Sequence, residues 1–319
     1  MAKIKAWFAA ARLRTLPLSV SGIIVGASAG IMDKQNLVLQ EADAAYNGLV
    51  CFAYTSVLES PMFWLAIFVT VGFQVLSNFA NDYGDGIRGT DHKRNGEKRM
   101  VASGLISPQQ MKVGMILAGG ITFILATVLI FMAFGSEKLI ISFVFFNLAI
   151  ISIIAAVKYT VGKNAYGYSG LGDIFVFLFF GLLSVLGSYF LFTHQINLHL
   201  VLPAIAIGCF STAVLNLNNM RDIESDTAAK KHTLVVQLGL ARAKKYHAFL
   251  LLFGMACMLV YSALNYTGPR QLIYIVAFIP FLLNLKTVTN NKAPVLLDGE
   301  LKKVALGTFL VAILFSIFM

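Results

Sequence analysis

The sequence contains little charge, few cysteines and no linker-type segments. Asp, Glu, Lys and Arg make up 13% of the 319 residues, about half the share in ordinary soluble domains. The three cysteines form no disulfide framework or zinc-type spacing, and Pro-, Gly- or Ser-rich linkers are absent. Hydrophobic residues reach 58%, against roughly 45–50% in soluble proteins. This composition excludes a soluble globular protein and predicts one membrane domain over residues 1–319.

Long stretches without charge fill most of the chain. A bilayer crossing takes about 20 apolar residues, and most of the stretches reach that length. The stretch 174–220 is about twice as long and has a polar centre at 193–197, so we divide it into two helices. The sequence thus predicts an all-α membrane protein with nine transmembrane helices. The stretches are 15–32, 60–81, 113–136, 139–157, 174–220, 246–269, 271–285 and 304–319.

The basic residues divide unevenly between the two sides of such a nine-helix chain. Of the 25 Lys and Arg residues, 22 fall on the side of the amino terminus and three, Lys34, Lys138 and Arg270, on the other. Cytoplasmic loops carry the excess of Lys and Arg. The sequence therefore predicts an inner-membrane protein with a cytoplasmic amino terminus and an external carboxy terminus. Because basic loops are attracted to anionic lipid, the net charge of +10 does not indicate nucleic-acid binding.

Two predicted helices end on the cytoplasmic side in dense polar sequence, at 77–91 and 216–226. Each cluster has an Asn and an Asp four residues apart, which places both on one helix face: Asn81 with Asp85, and Asn218 with Asp222. Asp226 follows Asp222 after four more residues on the same face. Carboxylates and amide carbonyls stacked on one face repel each other unless a cation lies between them. Hard oxygen ligands suit magnesium, which also shares substrate phosphates. The clusters are candidate magnesium–diphosphate sites.

Both pairs are separated by the same 137 residues. This spacing indicates a weak internal repeat of helices 1–4 and 5–8, with helix 9 added. Each cluster alone is also compatible with a solvated loop in which Asn and Asp cap helices. Two clusters at equivalent places on one side favour a functional site.

Basic and aromatic residues lie near both clusters. A diphosphate needs cationic side chains beyond its metals, and we favour Arg99 and Lys231 because each follows its cluster within one loop. A third cytoplasmic connection, 158–173, is rich in Tyr and Gly. Its ring faces can hold an aromatic substrate or a developing carbocation, although tyrosines are also common at membrane interfaces.

Taken together, these motifs resemble the UbiA-type intramembrane prenyltransferases. The similarity runs from Arg12 to about His247, and it is strongest to the menaquinone branch, which prenylates 1,4-dihydroxy-2-naphthoate. The motifs are Asn81-Asp82-Tyr83-Gly84-Asp85-Gly86 with Gly89 and Asp91, Tyr166-Gly167-Tyr168 with Gly170-Leu171-Gly172-Asp173, and Asn218-Asn219-Met220-Arg221-Asp222 through Asp226 and Lys231. One departure is Lys230, which stands where the family usually has glycine.

The resemblance implies a helical bundle around a central cavity and two magnesium ions that bridge a polyprenyl diphosphate. By that likeness, the metal ligands are Asn81, Asp82 and Asp85 for one ion and Asn218, Asp222 and Asp226 for the other, the four aspartates being catalytic. The substrate-binding residues are Asn78, Arg88, Asp91, Arg99, Tyr159, Tyr166, Tyr168, Asp173, Arg221 and Lys231. The implied reaction transfers a polyprenyl group to 1,4-dihydroxy-2-naphthoate, with loss of diphosphate and carbon dioxide.

Two alternatives stay open at this point. The same diphosphate machinery serves other aromatic acceptors, such as 4-hydroxybenzoate or homogentisate. A cation-coupled transporter is a more distant alternative, because transport sites usually lie near the bilayer midplane on broken helices. The acids of this sequence fall at helix ends beside basic loops.

Overall fold

The computed structural model describes residues 2–44, 56–89, 99–163 and 165–319, and no strand occurs among them. Within these ranges, nine helices are long and apolar enough to cross a membrane. They are α1 (Ile4–Asn36), α2 (Pro61–Arg88), α3 (Pro108–Phe134), α4 (Leu139–Lys158), α5 (Gly172–Thr193), α6 (Leu198–Arg221), α7 (Leu240–Leu264), α8 (Pro269–Asn290) and α9 (Pro294–Phe318). The prediction of an all-α, nine-helix membrane protein is confirmed, and the chain is a multi-pass membrane protein.

The first helix is broken near its start. An initial segment, Ala2–Ala11, is followed by a 3-10 turn at Leu13–Thr15 and then by the long segment Leu16–Ala44. The break occurs at Arg12, whose φ of 49° lies in the left-handed region, so the regular helix cannot continue through it. This break brings basic side chains at the start of the chain to the end of the bundle that holds the polar clusters.

The division of the stretch 174–220 into two helices is confirmed. Helix α5 ends at Thr193, and His194 follows in the left-handed conformation with φ 56°. Helix α6 begins at Leu198. The polar residues between them form the turn that the sequence places there.

Helix α2 extends seven residues beyond the charge-free stretch 60–81. Its start is capped by Ser60, whose hydroxyl accepts the Phe63 N–H, and it ends at Gly89, which has φ 73°. Residues 77–88 of the first polar cluster therefore lie on the last turns of the helix. The first charged residue of this helix, Asp82, therefore does not mark the end of the helical backbone.

Helix α6 lies at the centre of the core. It packs against α5, α7 and α9, and its fully buried side chains include Ile207, Phe210 and Leu217. Contact with α5 is close because Gly181 has no side chain: a Cβ there would lie 2.6 Å from the Ala204 carbonyl oxygen. Helix α6, whose last residues begin the second polar cluster, thus contacts three neighbouring transmembrane helices.

Helices α3 and α4 form the part of the bundle with the most apolar exposed surface. Large side chains on both helices are exposed, including Ile124, Phe131, Ile140 and Phe143. Such a surface is expected where lipid rather than water is the solvent. The internal repeat of helices 1–4 and 5–8 and the single-domain limits stay predictions.

Candidate active site

A cavity of about 510 Å³ lies inside the bundle, within the usual range of about 300–1,000 Å³ for ligand pockets. One end of the cavity holds the charged side chains, and the rest is lined mainly by apolar side chains with a few serines. Part of the apolar wall comes from Phe177–Gly187, a π-helical segment of α5, and such segments are frequent at functional sites. The charged and amide side chains of the lining are Arg12, Arg14, Gln74, Asn78, Asn81, Asp85, Arg99, Asn218, Asn219, Arg221, Lys231, Asp298 and Lys302.

Asp85, from the first cluster, contacts polar side chains of three other segments at this end. The Tyr168 hydroxyl donates a hydrogen bond of 2.7 Å to Asp85 Oδ1. Arg99 Nη2 lies 3.7 Å, and Lys231 Nζ 4.0 Å, from Asp85 Oδ2. The Asp85 carboxylate is buried, and these cations supply the charge compensation that a buried carboxylate requires.

Lys231 joins the two polar clusters. Its ammonium group lies 3.7 Å from Asp226 Oδ1 and 4.0 Å from Asp85 Oδ2. The turn before it contains Lys230 with φ 55°, a left-handed conformation that glycine adopts without strain. This conformation explains why glycine suits the position. In this protein the same turn forms although the residue is lysine.

Arg221 organises the second cluster. Its guanidinium donates to both oxygens of Asp222 at 2.8 Å and to Asn218 Oδ1 at 2.8 Å. On the other side, Nη1 donates to Asp298 Oδ1 at 2.5 Å. Asp298 begins the regular part of α9 and also lies 3.8 Å from Arg14 Nη1. The start of α9 and the beginning of the chain therefore contribute to the same charged network.

Asp82 occupies a different environment from Asp85. It is missing from the described residues that line the cavity. Its Oδ2 accepts the backbone N–H of Met100 and its Oδ1 that of Val101, both at 3.0 Å. Asp82, which the resemblance assigns to a metal, thus binds the backbone of the loop that contains Met100 and Val101.

The tyrosines take two different positions. Tyr159 and Tyr166 line the cavity and form an edge-to-face pair with ring centroids 5.3 Å apart, while Phe175 stacks on Tyr166 at 4.0 Å. Burial raises the pKa of both phenols, so the rings stay neutral at physiological pH. Tyr168 instead donates its hydroxyl to Asp85, and the Arg88 guanidinium lies 4.1 Å from the centroid of the Tyr168 ring. The first two tyrosines form an aromatic wall, and the third supports the acid.

Other residues singled out in the sequence bind neighbouring chain segments. The amide of Asn78 donates to the Ala11 carbonyl at 2.9 Å, and the Thr160 hydroxyl lies 3.2 Å from Asn81 Oδ1. Arg88 donates to the Gly162 carbonyl. Asp173, at the start of α5, is buried and is not among the described residues that line the cavity. The same holds for Asp222, which pairs with Arg221, and for Asp226, which lies near Lys231. Asp91 lies outside the described residues.

Several residues that line the polar end carry no motif signal. Arg12, Arg14 and Gln74 belong to α1 and α2, and Asp298 and Lys302 lie four residues apart at the start of α9. The charge of the four ionisable residues, and their location at helix ends that the sequence predicts to be cytoplasmic, were visible in the sequence. Their proximity to the clusters was not, because it depends on which helices pack together.

The oxygen ligands of the two clusters suit magnesium. Among the described residues, no three Asp, Glu, His or Cys side chains form a ready-made metal cluster. Magnesium does not need one, because it usually takes one or two carboxylates and completes its shell with water and substrate phosphates. The carboxylates of Asp85 and Asp226 both lie within 4.0 Å of Lys231, so a metal ion bound between the clusters would take over part of the charge compensation that this ammonium group gives.

Comparison with known proteins identifies the family. The profile of the UbiA prenyltransferase family matches residues 44–294. The chain is similar to proteins named 1,4-dihydroxy-2-naphthoate octaprenyltransferase from Haemophilus influenzae, with 38% identity over 99% of this chain and 96% of the relative. The protein of the same name from Escherichia coli is 35% identical over 99% and 95% of the two chains.

A solved structure described as digeranylgeranylglyceryl phosphate synthase in membranes shares the fold. Its TM-score is 0.55 at 18% identity, and the match covers 100% of this chain and 99% of that one. The resemblance inferred from the motifs is confirmed, and the chain belongs to the UbiA prenyltransferase family.

Proposed function

We propose that this protein transfers a polyprenyl group from polyprenyl diphosphate to 1,4-dihydroxy-2-naphthoate and releases diphosphate and carbon dioxide, giving demethylmenaquinol. The observation that carries the proposal is Lys231, which lies between Asp85 and Asp226 at the polar end of an otherwise apolar cavity. The names of the two full-length relatives support the naphthoate as acceptor.

The polar end is suited to a diphosphate. Arg99 and Lys231 line the cavity beside Asp85, and guanidinium and ammonium groups are the side chains that bind phosphate oxygens. As the allylic C–O bond breaks, negative charge develops on the departing diphosphate. Fixed cations at that place stabilise the transition state more than the ground state.

UbiA prenyltransferases are generally metal-dependent. We propose magnesium, with one ion held by Asn81 and Asp85 and a second by Asn218, Asp222 and Asp226. When bound, such ions supply Lewis-acid stabilisation of the leaving diphosphate. Because Arg221 donates to both oxygens of Asp222, occupancy of the second site depends on competition between the arginine and the metal.

The apolar part of the cavity suits the prenyl chain and protects the reacting carbon. Water would quench an allylic cation, and the apolar wall excludes water from it. The neutral rings of Tyr159 and Tyr166 line the cavity, and aromatic rings stabilise a developing cation by cation–π attraction. The ring carbon of the naphthoate that attacks the prenyl group is the one that loses its carboxylate.

We further propose that the polar end faces the cytoplasm at the inner membrane. The 22-to-3 distribution of Lys and Arg supports this orientation. The described charged network lies at helix ends, and nothing in its arrangement favours a transport pathway at the midplane.

The test is an acceptor panel with the protein purified in detergent. With magnesium, a labelled polyprenyl diphosphate and carboxyl-labelled 1,4-dihydroxy-2-naphthoate, we expect a prenylated naphthalenediol that has lost the carboxyl group of the acceptor. The label of that carboxyl group should be recovered as carbon dioxide. A reaction without magnesium is the control. Efficient prenylation of 4-hydroxybenzoate or homogentisate with an inert naphthoate would overturn the acceptor assignment.

A further inference from the structure

Asp82 and Asp85 are three residues apart on α2, but their carboxylates bind different partners. Asp82 is 1% exposed, and each of its oxygens accepts one backbone N–H, from Met100 and Val101. Both oxygens of Asp82 therefore already accept a charge-assisted hydrogen bond from the backbone of one turn. Asp85 instead contacts side chains that line the cavity.

The segment bound by Asp82 is a compact turn. The amide of Ser103 donates to the Arg99 carbonyl, and the amide of Ile106 to the Met100 carbonyl. Met100 and Val101 are buried against α2. Gly86 permits this approach, because a Cβ there would lie 2.6 Å from Val101 Cγ1. The turn therefore hydrogen-bonds to α2 through the Asp82 carboxylate, and it can approach α2 closely because residue 86 is glycine.

Arg99 is the residue immediately before the two amides that Asp82 binds. Its side chain is 8% exposed, lines the cavity, and has Nη2 at 3.7 Å from Asp85 Oδ2. A shift of the turn would move the Arg99 backbone and carry the guanidinium away from Asp85. The position of this cation at the polar end depends on a contact made outside the cavity.

We propose that Asp82 is a positioning residue that holds Arg99 toward the diphosphate, rather than a metal ligand. The inference rests on the proposed function for the identity of the substrate. The anchoring of the turn stands independently of that function. The two parts can therefore be tested with separate measurements.

The first measurement is amide hydrogen exchange of the peptide that contains Met100 and Val101, in detergent and without substrate. We expect slow exchange in the wild-type protein and at least tenfold faster exchange in Asp82→Asn, because the amide nitrogen of Asn faces a backbone donor. Glu224→Gln, which changes an exposed carboxylate on the same side, should exchange like the wild type. Equal exchange in all three proteins would overturn the anchoring role whether or not the protein prenylates naphthoate.

The second measurement separates a positioning residue from a metal ligand. We expect Asp82→Asn to raise KM for the polyprenyl diphosphate by about tenfold, the scale of a lost hydrogen bond to a charged group, with the half-saturating magnesium concentration unchanged. Asp85→Asn should change the magnesium dependence. An Asp82→Asn protein whose magnesium requirement rises as much as that of Asp85→Asn would identify a metal ligand and overturn the proposal.

Two more variants keep the proposal testable if Asp82→Asn folds poorly. Gly86→Ala displaces the same turn without touching a carboxylate, and it should reproduce the rise in KM. In the Arg99→Gln background, adding Asp82→Asn should change KM by less than about twofold, because residues that act through one another are not additive. Independent, multiplicative effects of the two substitutions would overturn the proposal.

Discussion

Arg221 and Asp298 are 77 residues apart in the chain, and Nη1 of the arginine donates to Oδ1 of the aspartate at 2.5 Å. Arg221 ends α6 and Asp298 begins the regular part of α9. The same guanidinium binds Asp222 and Asn218. A residue from the last membrane helix thus shares an arginine with the second polar cluster.

We expect Asp298→Asn to raise the magnesium concentration needed for half-maximal activity by about two- to fivefold. Without the Asp298 charge, Arg221 is compensated by Asp222 alone and competes more strongly with the metal. The effect is small because the Asp298 side chain is 47% exposed, and pairs of this kind contribute about 0.2–1 kcal/mol. A magnesium titration of prenyl transfer checks it, and an unchanged midpoint would contradict the competition.

Asp85→Asn and Asp222→Asn should each lower turnover at least a hundredfold while the protein stays folded. Amide replaces carboxylate at constant size, but the charge that holds a metal is lost. Such a loss costs several kcal/mol in the transition state, and each 1.36 kcal/mol is about tenfold in rate. If the two residues only capped helices, asparagine would serve equally well, and near-normal rates across a magnesium titration would discard the two-metal proposal.

Tyr168→Phe tests the hydrogen bond to Asp85. The hydroxyl donates at 2.7 Å, whereas the ring, with Arg88 at 4.1 Å and Lys231 at 5.2 Å, is retained. We expect kcat to fall by about fivefold, the equivalent of roughly 1 kcal/mol for one hydrogen bond. Tyr168→Ala also removes the cation–π contacts and should fall further, so equal rates for the two variants would show that the ring contributes nothing.

Lys230→Gly should leave activity unchanged and stabilise the protein by about 0.5–1 kcal/mol. The residue has φ 55°, and the left-handed region costs a non-glycine residue about 1–2 kcal/mol, partly offset by the larger unfolded-state entropy of glycine. Lys230→Ala keeps the strain and removes only the charge, so it is the matched control. Thermal unfolding in detergent compares the two, and equal stability would argue against strain at this turn.

Orientation can be tested with two exposed threonines at opposite ends of the bundle. Thr227 lies in the short helix Ile223–Ala228 beside the polar clusters, and Thr267 lies between α7 and α8. With Cys51 replaced by Ser and the buried Cys209 and Cys257 left in place, a membrane-impermeant maleimide added to spheroplasts should label Thr267→Cys but not Thr227→Cys. Labelling of Thr227→Cys alone would reverse the orientation, and labelling of both would contradict the topology.

The sequence determined the membrane architecture almost completely. Nine helices, the turn at 193–197 and the location of the acids at helix ends follow from hydropathy and from helical spacing, which are properties of neighbouring residues. The family follows from motifs of the same local kind. Lys230 could also be recognised as unusual before its φ was known, because the family usually has glycine at this position.

The partners of each charged side chain were decided only by the tertiary structure. Asp82 and Asp85 look equivalent in the motif, yet one binds backbone amides of a turn and the other contacts Arg99 and Lys231. Likewise, nothing local links Asp298 to Arg221. These contacts join segments far apart in the chain, so they depend on how the helices pack and on which face each side chain turns toward its neighbours.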